Sequence, residues 1–561
     1  MLRMFIHSTR GNIALLFALL LPVILGAVGL AVDVANLMNV KTQLQNAADV
    51  GVLVASREGA SEAQRRNLFD NYLKANLSQN GVTIVGSSVD VEAGINHLRV
   101  DGHATANVES FFMRHLGMNQ VSVVASTFRS TKSMEIAVVL DNTGSMGTGG
   151  INALKKASHA LVDAVEAGRA PNQDVRIGLV PFVTAVNVKG EGFKMDWIDT
   201  AGQSLYNGWN FLDANLRQER QSGVRRTRLP EGFGSNDTGN GYGGGQACNN
   251  QGRGAPAIAM RERCLADNYP HHLYLFEQSN TEWKGCVEAR PYPYNFSLDA
   301  PDPSKPDTLF VPYFAPDEPD GSPAIMTQGG NHANYFNNSW LADRVVGEQE
   351  ERLRSTLKYI NPPAKNVNNT GPLTIGPNRA CPTPIVPLTT EFSKVRAGIN
   401  AMMHWNGSGT NIAEGLAWGW RLLSPQAPYT QAGAFDPAER QKYMVLMTDG
   451  SNVSYGARKE ITRSDYGAYN FLANGFIGGT VNQNTAEGTL NGWTQDMCTQ
   501  MKRQGIEVFT VIYNETSPVV QNLFRNCASR PENYYMTNNT AALENAFASI
   551  GRQMSRLRLT Q

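Results

Sequence analysis

Between Ile13 and Val32 the chain runs for twenty residues without a charge, and at about 1.5 Å of rise per residue such a run spans the roughly 30 Å of a bilayer core. This predicts a transmembrane helix. Arg3 and Arg10 stand before the run, whereas Asp33 follows it and the next basic residue is Lys41. That bias puts residues 1–12 in the cytoplasm and everything after Asp33 outside. The run is longer than a usual signal-peptide core and no clear A-x-A site follows it, so a retained anchor is expected. Pro22 can kink such a helix without breaking it, because neighbouring groups re-satisfy the freed carbonyl.

The rest of the 561 residues, 42% of the chain being hydrophobic, is enough for two or three domains with real cores. Lys plus Arg and Asp plus Glu both number 49, so nothing global draws the chain to nucleic acid. Six cysteines outside a membrane read as disulfide candidates. Cys248, Cys264, Cys286 and Cys381 fall in or at the edge of a Gly/Pro-rich region, and Cys498 and Cys527 lie near the end. The simplest partition is two bridges within the first group, in a connectivity left open, and one between Cys498 and Cys527. Zinc-like spacing is missing.

Residues 33–130 read as a helical stalk, to about Ala75, followed by short alternating strands with a hairpin turn at Gly94 and Asn96. They suggest a small α+β membrane-proximal unit. The run "MEIAVVLD" then ends at Asp141, and an amphipathic helix from about Ile151 and the strand "DVRIGLVPF" follow. Strand, helix, strand implies a parallel sheet. The pattern breaks at residue 189 and resumes near 383 with further helices and the strands "YMVLMTDG" and "IEVFTVIY". An α/β fold is therefore expected, a doubly wound, mostly parallel sheet formed by 131–188 and 383–556. Residues 189–382 are a large insertion containing Trp197, Trp209, Trp283 and Trp340. Its aromatics and cysteines either staple a satellite core or form a recognition surface.

The segment Asp141-Asn142-Thr143-Gly144-Ser145 follows a buried strand, at the sheet edge where doubly wound folds bind ligands. Alternate residues of an extended turn point one way, so Asp141, Thr143 and Ser145 can converge on one point. Turn chemistry alone often explains such a string. Two further segments favour a site: "SGTN" places Thr410 just before a helix, and "LMTDGS" places Asp449 at the end of another strand. Hard oxygens with low charge suit Mg²⁺, with Mn²⁺ or Ca²⁺ as alternatives. His271 and His272 read as surface residues. The series Asp299, Asp302, Asp307, Asp317, Glu318 and Asp320 reads as a solvated loop before a Ca²⁺ site. No P-loop, nucleophile elbow or H-E-x-x-H occurs, so no enzyme is expected.

The Asp141–Ser145 string, Thr410 and Asp449 together resemble the metal-ion-dependent adhesion site of the von Willebrand factor A family. The resemblance implies that Asp141, Thr143, Ser145, Thr410 and Asp449 form the metal shell, Thr143 standing where the family usually has Ser. The segment "RGNIALLFALLLPVILGAVGLAVDVANLMNVKTQLQNAAD" resembles the TadE/TadG-like anchors of the bacterial tight-adherence (Tad, or Flp) pilus-assembly system. This second resemblance implies an inner-membrane, single-pass protein whose bulk is periplasmic or surface-exposed. Its expected partner is a protein of the pilus or secretion apparatus or a surface ligand. The rival expectations are a structural envelope linker and an accessory subunit that presents a substrate to an enzyme complex.

Overall fold

The computed structural model describes residues 11–56, 61–77, 81–93, 97–117, 119–130, 132–169, 173–212, 214–223, 271–320, 338–407, 409–456, 461, 464–555 and 558–559. The chain divides into two compact units, Met1–Lys132 with Ala170–Gln173 and Arg556–Gln561, and Ser133–Arg169 with Asp174–Ser555.

In the first unit the charge-free run is the opening part of one continuous helix, α1 (Gly11–Ala55). The stalk is not a single helix to Ala75. A new helix, α2 (Glu62–Asn76), starts at a capping box in which Ser61 and Gln64 each satisfy the other's backbone N–H. Strands β1 (Val82–Ala93), β2 (His97–Val108) and β3 (Gln120–Ser130) form an antiparallel meander. The pair Arg558–Leu559 adds to the free edge of β3. The β1–β2 pairing flanks the hairpin turn expected at Gly94 and Asn96, residues outside the described set. Leu44, Ala48 and Val52 line one face of α1 at four-residue spacing and meet Phe69 and Leu73 of α2 and Val100 and Ala104 of β2. A Cβ at Gly51 or at Gly102 would come within 2.9 or 2.7 Å of the Phe69 ring, so both glycines make room for it.

The second unit is built on β4 (Ser133–Asp141), the helix α3 (Gly147–Gly168), β5 (Val175–Phe182), the two-residue strands β6 (Val186–Asn187) and β7 (Cys286–Val287), and β8 (Val386–Thr389). Helices α4 (Phe392–Ala401) and α5 (Ile412–Leu422), strand β9 (Arg440–Thr448) and the small hairpin β10–β11 (Tyr466–Gly467, Asn470–Phe471) come next. Helix α6 (Gln483–Arg503), β12 (Ile506–Tyr513), α7 (Pro518–Cys527), β13 (Tyr534–Thr537) and α8 (Thr540–Met554) complete the unit. The main sheet runs β13-β12-β9-β4-β5-β6-β7, with β8 also on β5. Strands β13, β12, β9, β4 and β5 are parallel; β6, β7 and β8 pair antiparallel. This is the doubly wound, mostly parallel α/β sheet.

Strand β4 is apolar from Ile136 to Leu140 because both its faces are covered. Ile136, Val138 and Leu140 pack under α3 and α8 with Leu154, Leu161, Phe547 and Ile550. Ala137 and Val139 face the other way, onto α5 and the insertion. On that side a Cβ at Gly415 would meet Phe182 at 2.5 Å and one at Gly419 would meet Val139 at 2.4 Å, so these glycines let α5 lie close to the sheet.

The described tryptophans of the insertion pack into the main core or are buried beside it, not into a satellite core. Trp197, Trp283 and Trp340 belong to the same buried cluster as Val139, Phe182 and Trp418, and Trp209 is also buried. Cys286, on β7, is bonded to Cys381, and Cys498 on α6 to Cys527 on α7. Cys248 and Cys264 lie outside the described residues. Two sequence expectations fail here. His271 and His272 are buried, not superficial. The His271 ring accepts the Tyr274 N–H as a helix cap, and His272 lies 2.7 Å from the Pro312 carbonyl oxygen, burial holding its pKa down at about 3. Nor is the acidic series a solvated loop throughout. Asp317 and Glu318 are buried because each has partners far along the chain: Asp317 sits 2.9 Å from Lys358, and Glu318 accepts the Asn338 N–H at 2.6 Å.

Candidate metal centre

In the second unit the chain leaves β4 for β5 on one side and later returns to place β9 on the other. The loops after β4 and β9 therefore diverge from a switch point, and a crevice opens between them at the carboxyl edge of the sheet. Strand register brings Leu140 beside Met447, so Asp141 and the residues after Met447 emerge together.

Asp141 is wholly buried. Its Oδ1 accepts the Thr143 N–H at 2.8 Å, and its Oδ2 accepts the Thr448 hydroxyl at 2.6 Å. The Thr143 hydroxyl and the Asp449 N–H also hydrogen-bond this carboxylate. The Thr143 and Ser145 hydroxyls lie 2.9 Å apart, and Ser145 donates to Asp449 Oδ1 at 2.7 Å. Asp141, Thr143, Ser145 and Asp449 thus form one chain of oxygens, sealed at Asp141 and open to solvent at Ser145. Gly144 keeps the turn tight: a Cβ there would stand 2.2 Å from the Asn406 side-chain oxygen.

Thr410 arrives by its backbone. It exchanges N–H and carbonyl bonds with Val453 at 3.1 and 2.8 Å, which ties its loop to the one after β9. Gly409, at φ +78°, makes this approach possible, since a Cβ would stand 2.2 Å from the Val453 carbonyl oxygen. The same loop reaches the β4 turn, where the Trp405 N–H donates to the Asn142 carbonyl at 2.9 Å. No described hydrogen bond joins the Thr410 hydroxyl to the other four residues. The geometry brings four of the five sequence candidates into direct contact and places the fifth on the adjoining loop.

Sequence reasoning missed Thr448, which fixes the outer oxygen of Asp141. Its signal was a lone hydroxyl ending the apolar run "YMVLM". It also missed Asn411 and Asn452, which accept the Glu414 and Ile412 N–H groups and so hold the first turn of α5 beside the site. Glu515, just past β12, raises the pKa of Asp449 through its charge.

Burial pushes the Asp141 pKa up, against hydrogen bonds from Thr143 and Thr448. Burial and then the Asp141 charge push Asp449 up to about 8. Among the described residues no Lys or Arg pairs with either carboxylate, and no three His, Cys, Asp or Glu side chains converge as a metal-binding group. Two adjacent carboxylates with hydroxyls and no basic partner therefore lack half of an electrostatic balance. That donor set, hard and low in charge, fits Mg²⁺ or a similar divalent cation.

Fold and site together define a doubly wound α/β domain with an oxygen-donor cluster at its switch point, in a chain that opens with a long apolar helix. Residues 11–62 match the family model for Flp pilus-assembly TadE/G-like proteins, so the N-terminal segment is similar to that family. No curated protein matches the chain. Solved structures similar to it include the pilus adhesin SpaC from Lactobacillus rhamnosus GG, at 9% identity and TM-score 0.30 over 86% of this chain and 35% of that one. The pilus adhesin RrgA from Streptococcus pneumoniae is similar at 10% identity and TM-score 0.32, over 83% and 49%. The vWF domain of the type V pili tip protein Mfa5 from Porphyromonas gingivalis is similar at 9% identity and TM-score 0.27, over 75% and 95%. The chain thus spans about a third of SpaC and half of RrgA.

Proposed function

We propose that this is a single-pass envelope protein of Tad/Flp pilus assembly or adherence that captures a protein partner through a divalent cation at the carboxyl edge of its sheet. In this reading α1 crosses the inner membrane with residues 1–12 in the cytoplasm, and the second unit works in the periplasm or at the surface. The chain acts as a binding protein and catalyses nothing. The observation that carries the proposal is the pair Asp141 and Asp449, joined through Thr143 and Ser145 and without a basic partner among the described residues.

Asp141, Thr143, Ser145 and Asp449 would hold the ion, with Thr410 completing the shell from its adjoining loop. A bound Mg²⁺ would offer an acidic oxygen of the partner a strongly electrophilic coordination position. The chain's own residues prepare that position. Thr448 and the Thr143 N–H orient Asp141, and the exposed Ser145 leaves the cluster open on the solvent side.

The test uses the full chain in detergent, titrated with Mg²⁺ by calorimetry and with Mn²⁺ by electron paramagnetic resonance. One saturable ion is expected for the parent and none for Asp141→Ala. Chemical cross-linking in envelopes should capture a partner without chelator and lose it with chelator. Capture that survives excess chelator would show that the ion is not the recognition element, leaving the chain a structural linker.

A further inference from the structure

In the first unit α1 runs through Asp33 without a break to Ala55. A helix of 45 residues is about 68 Å long, more than twice a bilayer core. The backbone of α1 therefore does not mark where it leaves the membrane; the marker must come from side chains.

The turn after β2 supplies one. Phe111 is 75% exposed and Phe112 40% exposed, two adjacent large aromatics outside the unit's core. They are held in place by the first charge after the apolar run. The Asp33 carboxylate accepts the N–H groups of Phe111 at 3.2 Å, Phe112 at 2.6 Å and Met113 at 3.0 Å. Phe112 then lies back along the helix. A Cβ at Gly29 would be 2.1 Å from its ring, so the ring occupies the space that glycine leaves, one turn before Asp33. Gly29 lies within the charge-free run, about 4.5 Å from its end at Val32. The Arg114 guanidinium lies 5.8 Å from the Phe111 ring centroid, joining a cation to the aromatic surface.

Exposed phenylalanine rings set against the last turn of a membrane-spanning helix, with a cation beside them, have the apolar-plus-basic composition of a segment that lies in the membrane interface. We propose that Phe111–Arg114 is a second membrane contact, seated in the lipid headgroup region of the leaflet where α1 emerges. Bilayer lipid is the occupant because the turn is continuous with the lipid-facing surface of α1: Val28 and Val32, beside Gly29, are 56% and 63% exposed. Tied to Asp33, the turn sets the depth at which α1 stops and fixes the rotation of the first unit against the membrane. The inference rests on α1 spanning the bilayer.

Photo-crosslinking separates the two claims. The full chain is reconstituted in vesicles of phosphatidylethanolamine and phosphatidylglycerol with p-benzoylphenylalanine in place of Phe111, or in place of Leu20 as the anchor control. Phe111 is so exposed that its replacement leaves the core intact. After irradiation, mass spectrometry should find lipid adducts at both positions. Lipid adducts at position 20 with none at 111, or crosslinking of 111 to a second copy of the chain, would overturn the proposal while leaving the anchor standing. No lipid adduct at position 20 would overturn the anchor itself, and the interfacial turn with it.

Discussion

Buried carboxylates occur in two settings in this protein. Inside the insertion Asp317 meets the wholly buried Lys358 at 2.9 Å, and Asp343 lies 3.6 Å from the same ammonium; under the sheet Glu135 is paired with Lys442. At the carboxyl edge Asp141 and Asp449 have hydroxyls for company and no cation among the described residues. In the first setting the chain supplies its own countercharge, and the carboxylates serve the fold. In the second it leaves the countercharge to something outside. Absence of a partner is not sufficient by itself. Glu288 is also buried, and the His272 ring 3.4 Å away is neutral, its pKa held at about 3; the Tyr466 hydroxyl and the Asn470 amide satisfy the Glu288 carboxylate, and burial holds its pKa well above the ordinary range. The edge pair differs in opening to solvent at Ser145.

The comparison breaks most readily at Lys358. Lys358→Met strands Asp317 in the interior and should cost about 3–5 kcal/mol, as removal of one partner of a buried pair does. Urea unfolding of the full chain in detergent measures it, and a loss under about 1 kcal/mol would mean that the insertion does not depend on its internal pairs.

Next in size is the tie between α6 and α7, which flank β12. Replacing Cys498 and Cys527 together by Ser opens a link of sequence separation 29 and should cost about 3–4 kcal/mol in the chain-entropy model. Mg²⁺ affinity should stay unchanged, because neither cysteine touches the site. Peptide mapping without reduction checks the pairing itself.

The pH dependence sharpens the contrast further. Asp449 has a folded pKa of about 8 against an ordinary 3.8, so between those values the folded state holds the extra proton. In chelator, stability should fall as pH rises from about 4 to 8 and level off above. An ion must displace that proton, so apparent Mg²⁺ affinity should rise with pH, by up to about tenfold per unit, until about pH 8. Thermal melts across this range with Mg²⁺ and with chelator test both signs. A profile that Mg²⁺ leaves unaltered would remove the edge pair from the metal reading.

The smallest expected stability change belongs to the site itself. In chelator Asp141→Ala should shift unfolding by less than about 1 kcal/mol, because the lost hydrogen bonds are offset by removal of a buried unpaired charge. Unfolding of the variant would make Asp141 a structural residue like Asp317.

What was legible in the sequence was whatever depends on neighbours along the chain. Twenty uncharged residues determine a long apolar helix by length alone; "MEIAVVLD" determines a strand buried on both faces; Asp141 to Ser145 lie within one turn, so their convergence is local. Sequence spacing also brought Asp449 forward, as a carboxylate ending a second apolar strand. Its bond to Ser145, across 304 residues, depends on β4 and β9 being neighbours in the sheet. The burial of His272, Asp317 and Glu318 was illegible because it depends on where Pro312, Lys358 and Asn338 arrive. Thr448 acquired a role only when register set it beside Asp141. Local pattern determines which side chains can be buried or can bind an ion. Only the packed chain decides whether a buried carboxylate meets a lysine, because that partner is chosen by position in space and stands anywhere in the sequence.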